Sequence, residues 1–226
     1  TKAETLETTV VAGGDAWDSK AKTLDAGTGN AILVRPQSDP DKRWLLFGDR
    51  RAEINVDDYP THAALGLSAA HISNAIPVSD ALLSTIPTLP VITAPDLERV
   101  GSASGAAPRY NIGDVLVTID AASANVYYAV TDTGLQRVTR LVADLLINRG
   151  GNLYPDMSPA DIAVYKQSQE IDLSAFPASA PRYHEPAATC FVWSKPVEGG
   201  VPATHIVFGN TVPVKPKMGS QAAPML

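Results

Sequence analysis

The chain has 226 residues, a net charge of −6, 45% hydrophobic and 19% charged residues, and a single cysteine. That is enough apolar chain to bury a core in one large domain or two small ones. Dispersed Lys and Arg on an acidic background exclude a nucleic-acid-binding face. No run reaches the about 20 apolar residues of a membrane helix, and Thr1–Asp25 lacks the apolar stretch of a signal peptide.

Thr8–Val11 reads as a short strand ended by Gly13-Gly14, and Asp15–Asp25 as irregular or one short helix. After a turn at Gly27–Asn30, Ala31–Val34, Trp44–Phe47 and Ala52–Val56 are three strands separated by Pro36–Asp41 and Gly48-Asp49. This spacing gives an antiparallel meander. Asp58 caps a helix with Pro60 in its first turn, and Gly66 stops it. A further helix spans Ser79–Thr85, with Leu82, Leu83 and Ile86 as its apolar face. Thr88–Ala107, rich in Pro, Gly, Ser and Ala, reads as a linker, with Gly101–Ala107 its most flexible part. Then Ile112–Ile119, Asn125–Val130 and Leu135–Val138 form a second set of strands, followed by a helix over Thr139–Ile147. Ser158-Pro159-Ala160-Asp161 is a helix start in which Ser158 caps and Asp161 reaches back. Ala188–Ser194 and Thr204–Asn210 read as a hairpin with a long loop, and Val212–Leu226 as an extended or disordered tail.

The second set of elements repeats the first. At an offset of 83, Leu33-Val34 matches Leu116-Val117, Trp44–Phe47 matches Tyr127–Val130, and Asp49 matches Asp132. At an offset of 90, Ile72 matches Ile162, Leu83 matches Leu173, and Pro87 matches Pro177, which implies a seven-residue insertion around Asn148–Met157. A unit copied in this way builds a scaffold of equivalent modules and does not point to a single catalytic cleft.

The chemistry-bearing residues agree with that. No phosphate loop, G-x-S-x-G elbow or CxxC occurs. His62, His71, His184 and His205 lack metal-ligand spacing, so no metal, cofactor or catalytic residue is expected. His62 and His71 are expected at a helix end or the surface, and His205 packed in its strand. Cys190 opens the apolar run Cys190–Trp193, which favours a buried structural thiol over a reactive one paired with His184. Asp57-Asp58 is explained by helix capping. Trp44, Tyr127 and Tyr128, on equivalent strands, are expected as core aromatics, with stacking on a ligand open to whichever of the two tyrosines faces outward.

Tyr127–Leu135 resembles the Y-x-V-T-D-x-G-L/V strand–turn–strand signature of the EccB family, and Trp44–Arg51 looks like its W-x-x-x-G-x-R-R/H unit. Ala64–Leu67, Ile76–Ser79, Leu82–Pro87 and Ser158–Ala163 are similar to the helices that close each unit of that family. Together these pieces cover about Thr8 to Phe208. The resemblance implies an α+β chain of two β-meander-plus-helix repeats flanking a small β-rich core. Residues 1–30 hold a core strand and lead-in, 31–90 the first repeat, 91–111 a linker, 112–177 the second repeat, and 178–226 a core hairpin and tail. The core sheet would use Thr8–Val11, Cys190–Trp193 and Thr204–Phe208. It also implies a periplasmic domain of a single-pass membrane subunit of the type VII (ESX) secretion complex, structural in role. Its partners would be other membrane components, including the FtsK/SpoIIIE-type motor ATPase, with a homo-oligomer within the complex also open. Cys190 would be half of a disulfide whose other cysteine precedes Thr1. ATP hydrolysis, attributed to the family, and peptidoglycan contact are the alternatives.

Overall fold

The computed structural model describes residues 9–10, 21–25, 27–194, 203–210 and 223–224. The chain divides into two compact units, one of Thr1–Val56, Ala69–Val91 and Pro181–Leu226, the other of Asp57–Ser68 and Ile92–Ala180. The architecture is mixed α/β, with several sheets and few helices.

In the first unit, β1 (Thr9–Val10) pairs antiparallel with Ala223–Pro224. Strand β2 (Lys22–Thr23) is followed by the meander β3 (Asn30–Pro36), β4 (Arg43–Phe47) and β5 (Arg50–Ile54). The chain then enters the second unit for α1 (Tyr59–Leu65) and returns for α2 (Ala69–Ser73), β6 (Ile76–Val78), α3 (Asp80–Thr85) and β7 (Thr88–Leu89). Strand β6 lies parallel to β3, and β7 parallel to β5. β3 is thus interior, which explains why Ala31–Val34 is an unbroken apolar run buried on both faces instead of an alternating one.

The second unit begins in chain order with α1, and after the segment from Ile92 carries β8 (Val115–Ile119), β9 (Asn125–Val130) and β10 (Leu135–Val138). Helix α4 (Arg140–Asn148) follows, then β11 (Leu153–Met157) and α5 (Pro159–Ala163). Strand β11 runs parallel to β8, giving the order β10-β9-β8-β11, and the chain returns to pair Gln167 in parallel with Leu135 of β10. Back in the first unit, β12 (Arg182–Tyr183) pairs parallel with β3, and β13 (Ala188–Ser194) and β14 (Ala203–Gly209) form the expected hairpin.

The two meanders share a register. Val34 faces Trp44 and Val117 faces Tyr127, each partner 83 residues on. The offset of 90 does not hold. Ile72 lies in α2 but Ile162 in α5, and Leu83 lies in α3 but Leu173 in a 3-10 turn. By order in the sheets, Ser79 before α3 corresponds to Ser158 before α5, 79 residues apart. The second pass is therefore shortened: it goes from α4 to β11 through residues 149–152, with nothing in the place of α2.

Two further expectations are corrected. Thr9–Val10 does not join the hairpin sheet; β2 does, opposite β14. Leu24 fixes this, since its amide donates to the Ile206 carbonyl at 2.9 Å and its side chain is buried with Ile206 and Phe208. Of Asp15–Asp25, residues 15–20 lie outside the described set and 22–23 are strand. The stretch read as a linker is packed into the second unit: Ile92, Leu97, Ala107 and Tyr110 are buried. Around Gly101–Ala107, the Ser104 hydroxyl donates to the Thr131 carbonyl at 2.6 Å, and the Gly105 amide donates to Asp132 Oδ1 at 3.0 Å. Small residues here permit close backbone approach as well as freedom.

The first unit buries Leu24, Ile32, Val34, Leu46, Leu83, Ile86, Ile206 and Phe208 together. The second has a core on each face of its sheet, one with Val115, Val117, Ala129, Val142 and Leu146, the other with Leu116, Val130, Leu135 and Ile162. Strand alternation sends neighbours to opposite sides, so one short sheet seeds both.

Candidate functional site

The ionisable side chains of the second unit serve mainly to fasten its backbone. Asp58 caps α1 and is almost fully buried, at 9% exposure. Its Oδ2 accepts the Thr61 hydroxyl at 2.7 Å and Arg149 Nη2 at 2.6 Å, and Arg149 also donates to Thr93 Oγ1 at 3.0 Å. Asn148 Nδ2 donates to the Pro60 carbonyl at 3.0 Å, so the end of α4 clasps the start of α1. Burial alone would raise the Asp58 carboxyl, but the Thr61 hydroxyl and amide, with Arg149, outweigh it and hold it below the usual carboxylate range. Glu170 repeats the pattern. Burial pushes it up, and donors at Thr133, Thr131 and Ser168 bring it below normal. The buried Gln136 amide donates to the Ile171 carbonyl at 2.7 Å and accepts its N–H at 2.8 Å, taking the place of a strand partner. Asp132 is lowered first by the Gly105 amide and then by Arg99. Ser158 and Asp161 form the predicted capping box.

The residues singled out in the sequence fall in separate places. Trp44 is half-buried against the first unit's core, and the Arg51 guanidinium stands 4.5 Å from its ring centroid. Tyr127 and Tyr128 pack on the two different cores of the second unit, each half-buried. Cys190 lies opposite Val207, and burial pushes its thiol up, the reverse of an activated nucleophile. His184, the imagined partner, sits 3.0 Å through Nε2 from Asn30 Oδ1 with its ring against Phe208; burial, then Lys22 and Arg182, lower its pKa. His62 is buried in α1, where a helix-end or surface position was expected, because α1 is covered by α4. His205 is exposed where a packed position was expected; the buried run of β14 begins one residue later, at Ile206–Phe208. Among the described residues no group of three or more His, Cys, Asp or Glu could hold a metal ion, and no helix is long and apolar enough to cross a membrane.

The second unit also carries a concave feature. A cleft of ≈ 230 Å³ opens between α4 and the β9-β8-β11 face, floored by Val117, Tyr127 and Ile147. Its rim holds Ile119 and Leu153, respectively 52% and 48% exposed, with Arg140, Asp144 and Asp156. Arg140 Nε lies 3.5 Å from Asp144 Oδ2, so its charge is already engaged. The volume is below the about 300–1,000 Å³ of small-molecule pockets. The sequence hid this site because Leu153–Asp156 reads as an insertion, not as a strand.

The chain thus presents two meanders closed by short helices, with several of its ionisable groups engaged in caps and ties. Residues 1–225 match the family described as "Type VII secretion system ESX-1, transport TM domain B", and the chain belongs to this EccB family. It is 29% identical over 198 residues to the ESX-3 secretion system ATPase EccB3 of Mycolicibacterium smegmatis, covering 82% of this chain and 37% of that protein. To the ESX-3 secretion system ATPase EccB3 of Mycobacterium tuberculosis it is 27% identical over 227 residues, covering 94% and 41%. The chain thus spans about two fifths of the length of these relatives. It superposes on the EccB3 dimer from the ESX-3 core complex with a TM-score of 0.76 at 28% identity, covering 89% of this chain and 51% of that one. On the periplasmic assembly from the ESX-5 inner membrane complex the TM-score is 0.75 at 25% identity, covering 90% and 49%. Those structures are parts of ESX complexes, and this chain is a periplasmic region of the EccB family.

Proposed function

We propose that the chain is a structural module of a membrane-anchored EccB subunit, supporting assembly of an ESX inner membrane complex and hence protein export across the envelope. The observation that carries this reading is the match of nine tenths of the chain to a periplasmic assembly of this kind. The internal chemistry supports it. Asp58, Asp161 and Glu170 are engaged as caps and ties, which rigidify a fold and leave no free acid–base pair among them. Its partners are the other membrane components, the motor ATPase among them, and a second EccB copy, as in the EccB3 dimer. The test is co-purification of the membrane complex from cells expressing the parent protein with Leu116→Asp or Leu141→Asp, both positions being 0% exposed in the second unit. Loss of assembly is expected; an intact complex containing a protein whose second unit is shown by hydrogen exchange to be unfolded would refute the reading.

A second reading is nucleotide hydrolysis, favoured by the names of the relatives, which call those proteins ATPases. It requires saturable binding of Mg-ATP. Titration calorimetry of this chain at millimolar nucleotide, with no heat beyond dilution, removes ATP binding by this region.

A further inference from the structure

Ile119 and Leu153 are two of the large apolar side chains that the described fold leaves in water, and both stand on the rim of one cleft. Isolated exposed apolar residues need no explanation, but two flanking a concave apolar floor do. The floor is made by side chains from three elements, Val117 on β8, Tyr127 on β9 and Ile147 on α4, so its shape is fixed by the core beneath it.

The cleft lies beside the outer edge of the sheet, where β11 has no further strand among the described residues. That edge is guarded against strand addition. Pro155 has no N–H to offer, Asp156 adopts φ 60°, and the pairing with β8 slips between Tyr154 and Met157. An occupant therefore enters by its side chain, not by its backbone. At ≈ 230 Å³ there is room for one large side chain with part of its neighbours. The rim carries Arg140, Asp144 and Asp156, one positive and two negative charges, hence −1. Because Arg140 faces Asp144, the uncompensated charge is that of Asp156.

We propose that this cleft is a docking socket for a segment of a partner protein that presents one branched apolar side chain between basic residues. The proposal rests on the reading of the chain as a scaffold, and it names the place and chemistry of one attachment. The apolar side chain covers Ile119 and Leu153 as it enters, and the flanking cations lie on the side of Asp156.

The probe is the capped peptide Ser-Lys-Leu-Lys-Ser, titrated into the isotope-labelled chain and followed by NMR. Saturable shifts are expected at the amides of Val117, Ile119, Ile147 and Leu153. Replacing the peptide's Leu by Ala should weaken binding roughly tenfold, the loss expected for one buried aliphatic side chain. Replacing both Lys by Glu should weaken it about threefold, in keeping with exposed charge pairs. Asp156→Asn, which tolerates the same backbone conformation, should erase the difference between the Lys and Glu peptides. Leu153→Asp should abolish binding, and Val164→Asp, at an exposed residue of the same unit, should not. Absent shifts, shifts scattered elsewhere, equal response to the Lys and Glu peptides, or binding that survives Leu153→Asp would each overturn the proposal. The two readings fail separately. An intact membrane complex holding a Leu116→Asp protein with its second unit unfolded defeats the scaffold reading, whereas an absent peptide response from the folded wild-type chain defeats the socket alone.

Discussion

Replacing Asp58 by alanine tests how α1 is held. The substitution removes the cap of α1, worth about 0.5–2 kcal/mol. It also removes the 2.6 Å contact with Arg149, whose side chain is 45% exposed, so solvent screening limits that part to about 1 kcal/mol. The Thr61 hydroxyl, in a residue 0% exposed, is left without its acceptor, at a cost of about 1 kcal/mol. These effects share atoms and do not simply add, so the expected loss is about 2–4 kcal/mol, or roughly 5–12 °C in Tm for a chain of this size. Asp58→Asn keeps a good cap and loses only the charge, so it should cost about 1 kcal/mol. The carboxyl lies below its unfolded value of about 3.9, so its contribution is complete above that value. The charge-dependent part is lost as the pH falls through the lower folded-state value, and the gap between wild type and Asp58→Ala should narrow there toward that between Asp58→Asn and Asp58→Ala. Urea unfolding followed by circular dichroism, with hydrogen exchange on α1 and α4, measures each quantity. Equal stability of the Ala and Asn variants, or a double-mutant cycle with Arg149→Met showing no coupling, would refute the reasoning.

Gly151→Ala should destabilise by about 1–3 kcal/mol, because an added Cβ would stand 2.2 Å from the Gly113 carbonyl oxygen. Gly150→Ala meets no atom within 4 Å and carries only the strain of φ +106°, so its cost should be the smaller; a reversed order in thermal melts would count against the close approach. Thr118→Val should raise stability by about 1 kcal/mol, since the buried Thr118 hydroxyl has no hydrogen-bond partner among the described residues; a loss in urea unfolding would mean that it has one. Because burial raises the Cys190 thiol, its reaction with a disulfide reagent at pH 8 should be several-fold slower in the folded chain than in guanidinium, and equal rates would contradict its burial.

The elements that were legible are those whose cause is local. Leu135–Val138 and the capping box at Ser158 carry their own signals in alternation and spacing, and the helix read over Thr139–Ile147 differs from α4 by one residue at each end, with Thr139 as its cap. Strand β11 was not legible. Leu153–Met157 contains a proline, alternates poorly and becomes a strand only because β8 pairs with it from 38 residues away at Leu153 and Val115. The two-residue strands β2 and β7 have the same long-range origin. Nothing near Asp58 in sequence announces Arg149, 91 residues on, and so neither the clasp nor the placing of α1 in the second unit could be read. The cleft escaped for the same reason, since Ile119, Ile147 and Leu153 meet only after β11 is in place.

The path of the chain has a practical consequence for genetic dissection. Asp57–Ser68 belongs with Ile92–Ala180, while Ala69–Val91 belongs with what lies on either side of them, so the polypeptide changes allegiance four times. No single cut yields either half intact. A truncation ending before residue 112 would retain α1 yet strip away α4, leaving the buried faces of Thr61, Ala64 and Leu65 bare. Phenotypes of such deletions would report on exposed sticky surface as much as on the missing piece, whereas point changes inside one half keep the braid whole.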